Sequence, residues 1–305
     1  MSRCLVTGHK GYIGSRLMAK LKALGHEVMG IDIAEEHPKD INVFLTEDEE
    51  GGFHPHYYDF KPEYIFHLAC IPRVAYSIEE PVETCRNNIL AGSNVLNFAR
   101  KVGSVKRVIY SSSSSVVGNG EGPTSPYALQ KYTTELETVM YAKLYGVETV
   151  CLRYFNVYSP DQRADGPYAT AVANWMRCIG QGSEPFITGD GEQRRDMLNV
   201  KDAVSANIFC MNHVGAFDGS VYDVGTGENI SLNEIKEIVN THSPGVKFSY
   251  VKERPGDVLL TKANTSPLEQ LGWKTKVSIV EGMEKCFSRD NLRKLIEQQA
   301  TQNKK

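Results

Sequence analysis

The chain has 305 residues, 41% hydrophobic and 23% charged, enough apolar mass for a large domain with a smaller one beside it in sequence. A formal net charge of −3 excludes the basic footprint of a nucleic-acid binder or of a protein held electrostatically to a membrane, and no stretch approaches the about 20 apolar residues of a membrane span. Seven cysteines, an odd number without a C-x-x-C pair, read as reduced core residues of a cytoplasmic protein.

In chain order, the first apolar run is RCLVT (3–7), of strand type, and the following GHKGYIGSRL sets Gly8, Gly11 and Gly14 between that strand and a helix over 13–24. Glycines there permit a positive φ, let the backbone approach a diphosphate and pack helix tightly on strand. The helix start adds free N–H groups and a positive dipole end. The G-x-x-G-x-x-G spacing is the variant seen in short-chain dehydrogenases/reductases. A second strand, EVMGID (27–32), ends at Asp32, where a carboxylate accepts both hydroxyls of an adenosine ribose and repels a 2′-phosphate. The expected cofactor is therefore NAD rather than NADP. Residues 37–60 are irregular; His54 and His56 lie there without partner cysteines, no H-E-x-x-H occurs, and no metal is expected.

YIFHLA (64–69) is the third strand, 82–102 reads as one helix, and RVIYSS (107–112) is the fourth strand, running into five consecutive serines, Ser111 to Ser115. A linker at that place would interrupt the sheet. Two tyrosines precede a lysine by four residues. Tyr57 and Lys61 are followed by Pro62, which pushes Lys61 out of helical conformation, whereas Tyr127 and Lys131 share a face of a helix over 126–145. A free phenol has a pKa near 10, so a base at neutral pH needs a shift of roughly three units, about 4 kcal/mol. A nearby Lys131 ammonium and a positively charged nicotinamide supply it, and a strand-end hydroxyl, Ser113, positions the substrate hydroxyl and hands Tyr127 a proton in return.

ETVCLRYF (148–155) is the fifth strand, and such alternation of strands with crossover helices implies an α/β fold with a parallel sheet covered on both faces. From about residue 160 loops dominate (SPDQRADGP, GQGSEP, GDGEQ). SVYDVG (220–225) then returns to the main sheet, SLNEIKEIVN opens with a capping box, and 277–298 reads as a final helix. The expected division is a cofactor domain over 1–160 plus about 196–226, and a substrate domain over about 161–195 and 227–305.

Gly8 to Gly14, HLAC (67–70), the serine strand, Tyr127 with Lys131, and LRYFNVYSP (152–160) together resemble the extended short-chain dehydrogenase/reductase family. LRYFN, GDGEQRRDM (189–197), YDVGTGENISLNEI (222–235) and ERPGD (253–257) are most similar to its NAD-dependent nucleotide-sugar epimerases, of UDP-glucose or UDP-N-acetylglucosamine 4-epimerase type. The resemblance implies a Rossmann doubly wound sheet with a smaller mixed α/β substrate domain, and 4-epimerisation of a UDP-hexose through a transient 4-keto sugar. It places Tyr12 and Ile13 on the pyrophosphate, Ile33, Asp40 and Ile41 towards the adenosine, Leu68 and Ala69 on the adenosine or nicotinamide side, Asn87 and Ser111 on the cofactor, and Tyr154 on the nicotinamide. For the substrate it implies Asn156 on the diphosphate, Arg195 and Arg254 on the phosphates as planar forks, Asp257 on the nucleotide ribose, backbone around Phe186 and Thr188 bracketing the base, and Thr261 limiting pocket size. A homodimer packed through 82–102 and 126–145 is implied as well.

The resemblance has departures. The segment from Gly118 to Tyr127 is short, and Val117 replaces a tyrosine. Related dehydratases and decarboxylases carry an acid just after the catalytic hydroxyl, where this chain has Ser114 and Ser115. A net nucleotide-sugar reductase or dehydrogenase, and a non-catalytic NAD-binding sensor, remain alternatives to the epimerase.

Overall fold

The computed structural model describes residues 1–33, 53, 55–118, 120–162, 170–253 and 258–302. In chain order the elements are β1 (Arg3–Thr7), α1 (Tyr12–Ala23), β2 (Glu27–Ile31), α2 (Pro55–Phe60), β3 (Tyr64–His67), α3 (Val74–Glu79), α4 (Pro81–Cys85), a π-helical turn (Arg86–Leu90), α5 (Ala91–Val102) and β4 (Arg107–Ser113). A 3₁₀ turn (Ser114–Val116) precedes α6 (Pro126–Tyr145), β5 (Thr149–Tyr154), α7 (Ala171–Gly180), β6 (Phe186–Thr188), β7 (Arg194–Arg195), α8 (Val200–Asn212) and β8 (Asp218–Val224). The chain ends with β9 (Ile230–Ser231), α9 (Leu232–His242), β10 (Ser249–Val251), α10 (Ser266–Gln270), α11 (Ile279–Phe287) and α12 (Arg289–Gln302).

Two compact units emerge: Met1–Tyr154 with Ala203–Asp223, and Phe155–Asp202 with Val224–Lys305. The first holds a six-stranded sheet in the order β2-β1-β3-β4-β5-β8, with parallel pairing wherever β1 to β5 meet. Strands buried on both faces need apolar residues at consecutive positions, and Cys4, Leu5, Val6 and Thr7 of β1 are all fully buried. Leu5, Ile31, Ile65, Val95, Phe98 and Val108 belong to one core cluster between sheet and helices. The Lys61 of the first Tyr/Lys pair lies past the end of α2 with φ 50°, while Tyr57 is buried in that core.

Helix α6 begins where its sequence says it should. Ser125 Oγ accepts the Ala128 N–H at 3.2 Å, Pro126 opens the first turn, and Gly146 closes the helix at φ 66°. The helix expected over 82–102 is continuous from Pro81 to Val102 but carries a π-helical turn between α4 and α5. The extra residue of the wide turn falls around Asn88, whose amide is drawn into buried partners, and hydrophobic periodicity does not register it. The final helix expected over 277–298 is two, because Ser288 adopts extended φ −60°, ψ 144° and its Oγ accepts the Asn291 N–H at the start of α12.

The second unit packs Tyr158, Trp175, Met176, Met283 and Phe287 into its own core and carries two small sheets, β6 with β10 parallel and β7 with β9 antiparallel. Its boundaries depart from those expected: residues 155–160 and 196–202 fall here because they pair with each other, Tyr158 N–H to Leu198 O and Val200 N–H to Tyr158 O, both 2.9 Å. Asp196, fully buried, accepts the N–H groups of Thr226 (2.8 Å), Gly227 (3.0 Å) and Ala263 (3.1 Å), tying three segments together. The capping box at the start of α9 forms in full between Ser231 and Glu234.

Candidate active site

The strand order reverses between β1 and β3, and in an open α/β sheet the crevice at such a switch point is where a ligand binds. Gly8, with φ 71°, donates its N–H to Ile31 O at 2.7 Å, and a Cβ on it would lie 2.8 Å from Ala69 N. A Cβ on Gly14 would lie 2.1 Å from Gly8 O. Only glycine lets these backbones approach so closely. Gly11 caps helix α1 without a side-chain hydrogen bond, the kind of helix start that suits an anion. Asp32 follows β2 and its Oδ2 accepts the Lys10 N–H at 2.8 Å, which fixes the carboxylate beside the glycine loop. The Arg16 guanidinium lies 4.6 Å from the Tyr12 ring centroid at the first turn of α1. Ala69 N–H donates to Thr7 Oγ1 at 3.1 Å, holding the Leu68–Ala69 backbone at the end of β3. This glycine cradle, helix start and carboxylate fit NAD. Ile13 lies in the first turn of α1, and Ile33 is exposed just beyond Asp32; Asp40 and Ile41 lie outside the described residues.

Asn87, expected at the cofactor, turns back on its own helix, donating from Nδ2 to Glu83 O at 2.9 Å. Asn88 is the member of the pair that reaches the loop after β3: Oδ1 accepts the Ile71 N–H and Nδ2 donates to Gln130 Oε1, each at 2.7 Å. Two adjacent asparagines look alike in a sequence; the π turn decides which one points inward.

The catalytic candidates converge within the first unit. Ser113 ends β4, while Tyr127 and Lys131, 8% and 3% exposed, lie one turn apart on α6. Lys131 Nζ donates to Ser111 O at 2.7 Å and sits 4.9 Å from the Tyr110 ring centroid. Tyr127 N–H donates to Ser77 Oγ at 3.0 Å. Burial pushes the Tyr127 phenol well above its ordinary pKa, the neighbouring Cys70 adds to this, and a hydrogen bond with Ser113 opposes it. Ser113 Oγ accepts the Ser115 N–H at 3.2 Å and the Ser115 hydroxyl at 3.0 Å.

Two groups here were not foreseen. Glu135, one further turn along α6 and 2% exposed, accepts the Ser112 hydroxyl at 2.5 Å and the Arg153 guanidinium at 2.8 and 2.6 Å. Its signal was the i, i+4, i+8 spacing from Tyr127. Asn207, on α8, donates from Nδ2 to Tyr154 Oη at 2.6 Å, and Tyr154 Oη also shares a 3.2 Å bond with Ser111 Oγ. The hydroxyls of Tyr154 and Ser111, two residues expected at the cofactor, bond to each other in the interior, and burial pushes the Tyr154 phenol up to about 12.

In the second unit Asn156 and Thr261 come together. Asn156, at φ 27°, donates from Nδ2 to Asp196 O (2.8 Å) and Thr261 Oγ1 (3.2 Å), so the amide expected at a diphosphate is occupied by its own unit. Thr261 Oγ1 also accepts the Asp196 N–H at 3.2 Å, which fixes its side chain. Phe186 exposes its ring while its carbonyl accepts Trp175 Nε1 at 2.8 Å, and the Thr188 carbonyl accepts Gln193 Nε2 at 2.8 Å. The backbone around these two residues is the part expected to bracket a base. Arg195 donates from its guanidinium to Arg194 O at 3.0 Å; Arg254 and Asp257 lie outside the described residues.

A model of the NAD dependent epimerase/dehydratase family matches residues 4–225. A protein from Methanocaldococcus jannaschii described as a putative UDP-glucose 4-epimerase is 32% identical, the match covering 93% of this chain and 97% of that one. The solved UDP-glucose 4-epimerase of Thermotoga maritima, with UDP-glucose, superposes with a TM-score of 0.85 at 31% identity over 96% of this chain and 99% of that one. The UDP-N-acetylglucosamine 4-epimerase of Methanobrevibacter ruminantium gives 0.83 at 29% identity over 97% and 99%.

Proposed function

Because the chain belongs to the NAD-dependent epimerase/dehydratase family, we propose that it inverts C4 of a UDP-hexose, interconverting UDP-glucose with UDP-galactose or their N-acetylated counterparts. The observation that supports this reading is Ser113 at the end of β4 and Tyr127 with Lys131 on α6, with hydroxyls, not carboxylates, at 114 and 115. Dehydration or decarboxylation needs further acid chemistry beside the catalytic hydroxyl; removing and returning one hydride does not.

NAD, held at the glycine loop and Asp32, would supply the hydride acceptor and a positive charge. Tyr127 takes the proton of the C4 hydroxyl as the C4 hydride departs, and returns it once the 4-keto sugar has turned its other face. Lys131, anchored on Ser111 O, holds positive charge one helical turn from that phenol and favours its ionised form. Burial of Tyr127 keeps water from competing for the proton.

Purified protein incubated separately with UDP-glucose, UDP-galactose, UDP-N-acetylglucosamine and UDP-N-acetylgalactosamine tests the proposal. Interconversion of at least one pair without net absorbance change at 340 nm is expected. No interconversion of any pair refutes it, and NADH formed or consumed in proportion to turnover selects the reductase or dehydrogenase reading instead.

We further propose a cytoplasmic homodimer. All seven cysteines are free, which suits a reducing compartment. α6 presents Leu129, Leu136, Met140 and Leu144 to solvent in one protomer, the last 67% exposed, and helices α5 and α6 are the expected contact.

A further inference from the structure

Ser113 is held by a residue that counted, in the sequence, only as the place where an acid is missing. Its Oγ accepts two hydrogen bonds from Ser115, one from the amide at 3.2 Å and one from the hydroxyl at 3.0 Å. A serine hydroxyl has two acceptor lone pairs and one hydrogen. With both lone pairs taken, the hydrogen is all that Ser113 has left to offer, and Ser113 is the neighbour that opposes the burial-driven rise of the Tyr127 phenol.

Building on the epimerase reading, we propose that Ser115 is a positioning residue that makes Ser113 solely a donor, so that the substrate hydroxyl gives its proton directly to Tyr127 and Ser113 relays none. In that step the substrate O–H bond breaks and the Tyr127 Oη–H bond forms. The C4–H electron pair leaves as hydride to NAD, and the O–H pair becomes the second bond of the ketone. The Ser113 proton stays on Ser113. This replaces the expectation that Ser113 hands Tyr127 a proton. Cys70, from the loop after β3, and Tyr110, on β4, also interact with Tyr127, and Lys131 lies one turn further along α6. Ser115 is neutral, so its removal changes hydrogen bonding at Ser113 without changing the charge around Tyr127.

The test compares Ser115→Ala, Ser115→Thr and, as control, Ser114→Ala in the NAD-loaded enzyme, reading kcat and KM against pH for the sugar pair it interconverts. Ser115→Ala is expected to lower kcat about tenfold, to leave KM within about twofold and to move the acidic limb of the kcat profile to higher pH. Ser115→Thr restores both, and Ser114→Ala leaves both unchanged. A kcat profile that Ser115→Ala does not move, or a loss confined to KM, overturns the proposal. Ultraviolet titration of the Tyr127 phenol, taken as the difference from a matched Tyr127→Phe background in the NAD-loaded protein, gives a readout without turnover. A midpoint unmoved by Ser115→Ala overturns the positioning role, whereas a shifted midpoint in a protein inactive on all four sugars refutes the epimerase reading alone.

Discussion

Tyr127 carries a phenol that its own burial makes hard to ionise, so its function depends on charges brought close to it. A group whose pKa is raised gains its ionised form only as pH rises, so kcat should climb with pH to a plateau. Tyr127→Phe should lower kcat about 10²- to 10⁴-fold while NAD still binds, measured by turnover and by cofactor retention. His67 shows the opposite shift. It is 2% exposed, bonds through Nδ1 to Thr7 Oγ1 at 2.8 Å, and burial, assisted by the Lys131 charge, pushes its pKa down to about 3. The unfolded chain takes up that proton near pH 6.5 and the fold refuses it, so the stability from neutral His67 is complete above pH 6.5 and lost between 6.5 and 3. The loss approaches about 1.4 kcal/mol per pH unit. His67→Gln should flatten that part of the stability profile in urea unfolding at several pH values. At this scale the residues that sequence singles out, Gly8, Gly11, Gly14, Ser113, Tyr127 and Lys131, belong to short local motifs, although Gly8 packs against Ala69 and Lys131 bonds Ser111 O. Asn88, Asn207 and the commitment of Tyr154 depend on partners remote in sequence, and no local pattern announces them.

Glu135 joins three elements at once: its own α6, β4 through Ser112 and β5 through Arg153. Removing one partner of a buried ion pair strands the other, so Glu135→Ala should cost about 3–5 kcal/mol in denaturant unfolding. Because the strand end it fixes carries Ser113, kcat should fall with it. In the glycine loop, Gly14→Ala would set a Cβ 2.1 Å from Gly8 O. The backbone must move, and NAD affinity measured by calorimetry should drop at least about tenfold. Strands β1 to β5 were readable because doubly covered strands are runs of apolar residues bounded by turns, and α6 because its serine cap, proline and closing glycine are all local. The π turn in 82–102 and the break at Ser288 were not. Both insert a change of backbone path into an otherwise helical pattern, for the sake of Asn88 in one case and a new cap in the other.

For the chain as a whole, the sequence order of the two units was visible in the loosening of rhythm after residue 160, whereas the boundaries shifted to 154 and 202 because pairing between 155–160 and 196–202 outweighs their place in the sequence. If the protein dimerises through α6, Leu136→Arg places a charge among the exposed Leu129, Met140 and Leu144. Light scattering after size exclusion should then show the monomer mass where the unmodified chain shows twice that. The sheet order has a further consequence for how the protein is made. β8 lies beside β5, yet ribosomes deliver it about 60 residues after β5 ends, about 3–12 s later at ordinary elongation rates. Throughout that interval the nascent sheet has an open hydrogen-bonding edge along Thr149–Tyr154, the kind of edge that recruits foreign strands. Stalled or truncated chains ending before residue 218 should therefore be the species that chaperones capture and that aggregate first.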